Sequence, residues 1–268
     1  MTAPVSVVIP CFRCATTIGR AVASIAQQTQ KPAEVILVDD ASGDETWSSL
    51  QKLAQKYPEW IKVLQLNENK GAASTRNRGW EAASQPYIAF LDADDAWHPR
   101  KIEIQYAYMK AHPEVALCGH SHRLLWQKDA LPDWEVLQPA EQHIYKWKML
   151  LSNPFVTPSV MLRRDIEQRF VERQRYMEDH MLWLKIICGG GRIVKLSTEL
   201  AAIYKRPFGI TGLSAQFVNM ERSDLGNYLR LYRANCIGAP LLGVLSIYSL
   251  LKYLRRLLIY WGYLRWRK

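Results

Sequence analysis

The chain of 268 residues lacks an uncharged run long enough to predict a membrane-spanning helix. Residues 236–251 carry no charge, but this 16-residue stretch is shorter than the roughly 20 residues that span a bilayer. It also contains Gly238, Pro240 and Gly243, which interrupt helices. The N-terminus has no positively charged segment before an apolar one, so we expect no signal peptide.

Glycine-rich phosphate loops are missing as well. Neither GxxxxGK[ST] nor GxGxxG follows either of the first two predicted strands, which argues against nucleotide binding by a backbone cradle. Cys11 and Cys14 have the spacing of half a zinc or redox site. No second cysteine pair or nearby histidine cluster completes four ligands, so we do not predict a metal or redox centre there.

Acidic residues are absent from the C-terminal end. The last one is Asp224, and residues 225–268 contain eight Lys and Arg residues. Because the formal net charge of the whole chain is +10, the first 224 residues contribute only +2. The positive charge lies beside apolar residues rather than on a base-reading surface, which argues against nucleic acid as a partner. It favours instead a C-terminal tail that binds to a surface.

Short β-branched runs alternate with amphipathic segments over the first hundred residues. Strands are predicted over residues 5–9, 34–38, 61–66 and 87–91, with helices between them. Beyond residue 100 the pattern changes, and we predict a helix over 101–111, strands over 115–119 and 160–162, and a helix over 176–188. We therefore expect an α/β fold in which residues 1–100 and 101–215 form two halves and residues 216–268 form a helical tail.

Two of the predicted strands end in acidic clusters, at Asp39–Asp40 and at Asp92–Asp95. Ligands of open α/β sheets bind at the carboxyl ends of the strands, so both clusters should face one crevice. Carboxylates can hold a divalent cation on a diphosphate and can accept hydrogen bonds from ribose hydroxyls. The competing interpretation is that these acids only cap helices.

Several motifs occur in an order and spacing that resemble the family 2 glycosyltransferases with the GT-A fold. They cover Val5–Pro10, Val38–Asp44, Asn69–Gly71 with Arg76–Asn77, and Phe90–Trp97. Further along, Met177–His180 resembles the ED motif of that family, and residues 203–206 followed by Ser214 resemble the segment that closes its donor site. The resemblance implies a Rossmann-like nucleotide-binding mixed sheet flanked by helices.

The resemblance also implies roles for individual residues. A nucleotide-sugar donor, expected to be UDP-linked, would contact Pro10, Phe12, Asp39, Asp40, Lys70, Arg76, Asp92, Ala93 and Arg206. The DxD motif maps onto Asp92 and Asp94, which would bind Mn2+ or Mg2+, with Asp94 as the main ligand. The general base of an inverting displacement maps onto Asp179, with Glu178 beside it. The competing interpretation of Glu178 and Asp179 is a helix start with acids near the positive end of its dipole.

The tail, residues 236–268, is predicted to form an amphipathic helix. At 100 degrees per residue, Lys252, Arg255, Arg256 and Arg267 fall within an arc of about 120 degrees, and leucines cluster opposite. This pattern is typical of a helix in a membrane interface, with its basic residues on anionic headgroups. The alternative is packing on its own domain or on a second subunit of a homo-oligomer.

We therefore expect a cytoplasmic enzyme held peripherally on the inner face of the cell membrane. It would transfer sugar to a glycan or lipid-linked acceptor in surface polysaccharide or lipopolysaccharide assembly. Two other functions remain open at this point: a sugar nucleotidyltransferase, and a non-catalytic membrane-bound scaffold with the same fold.

Overall fold

A computed structural model describes residues 2–126, 134–136, 139–204 and 216–266. The chain divides into two compact units. The first comprises residues 1–149 and 153–205, and the second comprises residues 150–152 and 206–268.

A mixed β-sheet forms the centre of the first unit. Its strands are β1 (Ala3–Cys11), β2 (Pro32–Asp39), β3 (Ile61–Gln65), β4 (Tyr87–Phe90), β5 (Ala96–Trp97), β6 (Val115–Leu125), β7 (Glu141–His143), β8 (Met161–Arg163) and β9 (Arg192–Tyr204). Their order is β3-β2-β1-β4-β8-β6-β9-β5, with β7 paired to β9. The first four strands of this order are parallel, and β8 is antiparallel to both of its neighbours.

Helices pack on this sheet, as the α/β prediction requires. They are α1 (Ile18–Ala26), α2 (Thr46–Lys56), α3 (Gly71–Ala82), α4 (Lys101–Ala111), α5 (Lys146–Leu151) and α6 (Glu178–Cys188). The four strands predicted in the first hundred residues and the helix over 101–111 are confirmed, with bounds that shift by at most two residues. The prediction missed β9 altogether and ended β6 six residues too early.

One glycine lets α3 lie directly on the sheet. A Cβ atom on Gly79 would lie 2.3 Å from Cγ1 of Val8, so any larger residue would push the helix away from β1. The helix runs back across parallel strands, so its first turns lie near their carboxyl ends. Arg76 and Asn77 are thereby brought toward the edge where the acidic clusters are.

The second unit contains two antiparallel helices, α7 (Phe217–Arg233) and α8 (Ala239–Trp266). The rings of Phe217 and Tyr260 lie 5.6 Å apart between their centres. Of the three residues expected to interrupt a helix, Gly238 lies just before α8, whereas Pro240 and Gly243 lie within it. Proline fits the first turn because its missing N–H has no partner there in any helix.

The exposed and covered faces of α8 differ from the expectation. Lys252 and Arg256 are half-buried, and Nζ of Lys252 lies 3.9 Å from Oδ2 of Asp224 on α7. Of the basic arc, Lys252 therefore lies against α7, whereas Arg255 is exposed and Arg267 lies outside the described residues. An apolar stripe is left exposed instead, formed by Val244, Ile247, Leu251, Leu254 and Leu258. Within the described residues, no helix is both long and apolar enough to cross a membrane.

A buried lysine begins α4. Lys101 is fully buried, and its Nζ lies 3.7 Å from the centre of the Trp97 ring. Among the described residues this Nζ has no hydrogen-bond partner. Burial pushes the pKa of Lys101 well below its ordinary value, despite an opposing effect of Cys118. The side chain is thus an uncompensated buried amine.

We expect Lys101→Met to raise the free energy of unfolding by about 1–3 kcal/mol at pH 7, because it removes this burial cost. A lysine whose pKa is lowered by folding binds fewer protons in the folded state, so its cost to stability diminishes as pH rises toward about 10. Urea unfolding at several pH values should therefore show a flatter pH dependence for the variant. Lys110→Met, at an exposed position of the same helix, is the matched control. A loss of stability in Lys101→Met would show instead that the contact with Trp97 outweighs the cost of burial.

Candidate active site

Three loops lie along one edge of the sheet. Because β2, β1 and β4 are adjacent and parallel, their carboxyl ends meet there. The loop after β1 carries Phe12 and Arg13, the loop after β2 begins at Asp40, and the loop after β4 carries Asp92–Asp95. Both acidic clusters are therefore at the same edge, as predicted.

The first cluster holds neighbouring loops in place. Oδ1 of Asp40 accepts a hydrogen bond from the backbone N–H of Lys70 at 2.7 Å, and Oδ2 accepts one from Gly71 at 2.8 Å. Asp39 is fully buried and accepts a hydrogen bond from Nε2 of Gln65 at 3.0 Å. Asp40 thus caps α3, although it does not lie next to that helix in the sequence. The same bonds fix the position of Lys70 beside the crevice.

The loops after β1 and β2 each contain a residue with an unusual backbone conformation. Arg13 and Ala41 both have positive φ angles, of 49° and 52°, and the backbone N–H of Arg13 donates to Oγ of Ser42. Non-glycine residues with this conformation cost energy and cluster at functional sites. Phe12 is 46% exposed beside them, whereas Pro10 is half-buried at the end of the strand. An exposed aromatic ring at this edge can stack on a planar base.

The second cluster is anchored by Tyr204, from the start of the predicted closing segment, and by Arg20, which the sequence did not single out. Oδ1 of Asp95 accepts a hydrogen bond from the backbone N–H of Tyr204 at 2.9 Å. Arg20 on α1 donates to the backbone carbonyl of Asp94, and its guanidinium carbon lies 3.7 Å from the centre of the Tyr204 ring. These contacts fix the loop between α1 and β9. Within it Ala93 is buried, the side chain of Asp92 is one-third exposed and Asp94 is exposed.

Arg76 joins the two predicted motifs. Its guanidinium is 5% exposed and donates to Oδ1 of Asp92 at 2.8 Å and to Oε1 of Glu178 at 3.0 Å. The predicted nucleotide contact is thus an ion-paired bridge between the DxD loop and the start of α6. Burial raises the pKa of Glu178, Arg76 opposes that rise, and the charge of Asp179 adds to it. A guanidinium that donates to two carboxylates in this way limits the movement of both.

Asp179 lies in the first turn of α6, two residues after a strained one. Met177 has a φ of 54°, which turns the chain sharply into the helix. Oδ1 of Asp179 accepts a hydrogen bond from the backbone N–H of His180 at 2.6 Å, and Oδ2 accepts one from Nδ2 of Asn153 at 3.1 Å. Asp179 is half-buried. Glu178 and Asp179 therefore do begin a helix, as the competing interpretation expects. This position does not prevent Asp179 from acting as a base.

The acidic residues fit a cation that is completed by substrate oxygens. Within the described residues, no group of three or more His, Cys, Asp or Glu side chains is arranged to hold a metal ion. Magnesium-type sites commonly use only one or two carboxylates and take other ligands from phosphates and water. Asp94 and Asp92 can supply these two, although Arg76 already neutralises part of the charge of Asp92.

The predicted closing segment is not part of the site as described, and neither is the cysteine pair. Arg206 and Ser214, of the segment expected to close over the donor, lie outside the described residues. Cys11 and Cys14 are buried free thiols behind the β1 loop.

Comparison with known proteins decides the family. Residues 6–170 match the model of "Glycosyl transferase family 2". The chain belongs to this glycosyltransferase family. It is 32% identical over 206 residues to the Escherichia coli UDP-Glc:alpha-D-GlcNAc-diphosphoundecaprenol beta-1,3-glucosyltransferase WfaP, an alignment that covers 75% of this chain and 76% of WfaP.

Solved structures show the same GT-A fold. S. aureus TarS in complex with UDP-GlcNAc matches with a TM-score of 0.64 at 21% identity, over 85% of this glycosyltransferase and 67% of that chain. The mannosyltransferase PcManGT from Pyrobaculum calidifontis, in complex with GDP-Man and Mn2+, matches with a TM-score of 0.68 at 18% identity, over 92% of this glycosyltransferase and 70% of that chain.

Proposed function

We propose that this glycosyltransferase transfers one sugar from a UDP-linked donor to a glycan or lipid-linked acceptor, with inversion at the anomeric carbon, in the assembly of a surface polysaccharide. The observation that carries the proposal is the Arg76 bridge, which holds the DxD carboxylate Asp92 next to the acidic start of α6. The name of WfaP, with its UDP-Glc donor and diphosphoundecaprenol acceptor, supports the classes of donor and acceptor.

In this proposal Asp179 acts as the general base. It accepts the proton of an acceptor hydroxyl while that oxygen attacks the anomeric carbon, and the nucleoside diphosphate leaves from the opposite face. Phe12, Asp39 and Asp40 form the base and ribose end of the donor crevice, with Lys70 beside them. Asp94 and Asp92 would hold Mn2+ or Mg2+, which when bound supplies Lewis-acid stabilisation of the departing diphosphate.

The experiment is a transfer assay with the full chain and a synthetic lipid-diphosphate GlcNAc acceptor. UDP-Glc, UDP-GlcNAc and GDP-Man are each supplied with Mn2+ or Mg2+, and with EDTA as the metal-free condition. We expect transfer from a UDP-sugar that EDTA abolishes, with a product whose anomeric coupling in NMR shows inversion. Retention of configuration would overturn the single displacement, and undiminished transfer in EDTA would overturn the metal requirement.

We further propose that the apolar stripe of α8 binds the cytoplasmic surface of the cell membrane. Five apolar side chains are exposed along one face: Val244, Ile247, Leu251, Leu254 and Leu258. Arg255 is exposed as well, and no acidic residue follows Asp224. An apolar face combined with local positive charge suits the interface of an anionic bilayer.

In flotation with vesicles of phosphatidylethanolamine and phosphatidylglycerol, we expect the wild-type protein to rise with the lipid. Leu251→Glu combined with Leu254→Glu should stay at the bottom, because it places two charges in the stripe. Leu229→Glu, at an exposed leucine of α7, is the matched control and should float. Flotation of the double variant would contradict the assignment. If the wild type forms dimers in light scattering and does not float, the stripe joins subunits instead.

A further inference from the structure

We propose that Asn153 is a positioning residue that holds the carboxylate of Asp179 in its working orientation. This inference rests on the proposed function, since it gives Asp179 the role of base. Nδ2 of Asn153 donates to Oδ2 of Asp179 at 3.1 Å, and the two residues are 26 positions apart. Asn153 lies in the loop between α5 and β8 and is itself half-buried.

The orientation of the Asn153 amide is fixed from its other end. Its Oδ1 accepts a hydrogen bond from the backbone N–H of Phe155 at 3.2 Å. If the amide were rotated by half a turn, its oxygen would face the oxygen of Asp179 and its NH2 group would face an N–H. The two hydrogen bonds together therefore determine that the NH2 group faces Asp179.

The loop that carries Asn153 is anchored in the core. Phe155 is buried, and its ring lies so close to β6 that a Cβ atom on Gly119 would come within 2.2 Å of it. On its other side the ring lies 6.5 Å, between centres, from that of Trp183 on α6. Packing of Phe155 against Gly119 and Trp183 therefore limits how far the loop that carries Asn153 can move relative to α6.

Asp179 is held at both oxygens. Oδ1 accepts from the backbone N–H of His180, and Oδ2 accepts from Asn153. Each carboxylate oxygen has two lone pairs, so one of those on Oδ2 stays available to the acceptor hydroxyl. Without Asn153 the side chain of Asp179 could rotate about its Cα–Cβ bond. The base would then be aligned with the acceptor hydroxyl for a smaller fraction of the time.

Two substitutions separate positioning from folding. Asn153→Asp keeps an oxygen for the N–H of Phe155 but replaces the donor to Asp179 with a second carboxylate. Asn153→Ala removes both bonds. We expect kcat to fall by about 10- to 100-fold in Asn153→Ala and by at least as much in Asn153→Asp, because misalignment of a reacting group by about 1 Å has effects of that size. The KM for the donor should change less than about twofold, since neither residue is assigned to donor binding.

The decisive comparison is a double-mutant cycle with Asp179→Asn. If Asn153 acts only through Asp179, adding Asn153→Ala to Asp179→Asn should leave the remaining rate unchanged, whereas a general structural role would lower it further. Circular dichroism and thermal melting establish whether each variant is folded. If Asn153→Ala is unfolded, Asn153→Asp takes its place in the cycle.

The possible results are distinct. If Asp179→Asn is impaired and both Asn153 variants keep the wild-type kcat, the positioning role is wrong while the proposed function stands. If the effects of Asn153→Ala and Asp179→Asn multiply, Asn153 acts on the fold and the positioning role is again wrong. If Asp179→Asn keeps full transfer activity, both the proposed base and the role of Asn153 are wrong.

Discussion

Replacing Asp179 by asparagine should lower the rate of sugar transfer by about 10²- to 10⁴-fold, which is the usual contribution of a general base. Asparagine has nearly the same size and keeps an oxygen that can accept the N–H of His180, so the start of α6 should remain intact. It cannot take up a proton at neutral pH. The substitution therefore removes the proposed chemistry with little change in shape.

The measurement is kcat in the transfer assay, together with donor binding by thermal shift. We expect the shift produced by UDP and Mn2+ to persist, because Asp179 is not assigned to the donor. Asp165→Asn is the control, since that exposed carboxylate pairs only with the surface residue Arg163 among the contacts seen. Transfer at the wild-type rate by Asp179→Asn would remove the base from the mechanism.

The variant should also affect its neighbour. The charge of Asp179 is one of the causes that raise the pKa of Glu178, after burial and against the opposing effect of Arg76. Neutralising Asp179 should therefore favour ionised Glu178 and strengthen its ion pair with Arg76. This gain opposes the disturbed hydrogen bond from Asn153, so we expect a melting temperature close to that of the wild type.

Asp94→Asn should produce a different pattern of losses. Its carboxylate is exposed at the strand edge, and it is assigned as the main ligand of the cation. Losing it should weaken metal-dependent donor binding and lower kcat/KM by about 10²-fold or more, because metal stabilisation of a leaving group amounts to several kcal/mol. The hydrogen bond from Arg20 should persist in the variant, since it is made to the backbone carbonyl of Asp94 and not to the replaced side chain.

Titration with Mn2+ at fixed UDP, followed by thermal shift, distinguishes this variant from Asp179→Asn. We expect the Mn2+-dependent part of the shift to disappear in Asp94→Asn and to remain in Asp179→Asn and in the Asp165→Asn control. If Asp94→Asn retains both its Mn2+ response and its transfer rate, the cation binds elsewhere or has no part in the reaction.

The first half of the fold could be predicted because its determinants are local. β1 and β2 are buried on both faces, so they appear in the sequence as short β-branched runs bounded by turn residues. β9 was missed for the opposite reason. Its length comes from pairing with β6, which lies far away in the sequence, although the alternation of Lys195, Ser197 and Glu199 with apolar residues is itself a strand pattern.

The tail shows a similar limit. The arc of basic residues on α8 is a true feature of the sequence, but periodicity does not say which face a neighbouring helix will cover. Asp224 on α7 and the ring of Phe217 lie against α8, so Lys252 is half-buried there and the stripe around Leu251 is exposed.

By itself, the sequence determined the positions of the carboxylates, since Asp39–Asp40 and Asp92–Asp95 directly follow strands whose ends meet at one edge. It also carried the motifs by which the family could be recognised. Only the tertiary structure decided which side chains contact the carboxylates of the site. Arg76 lies between Asp92 and Glu178, and Asn153 donates to Asp179. The physical reason is range: strand ends follow from local patterns, whereas these hydrogen bonds join residues that are brought together by packing across 16 to 102 positions.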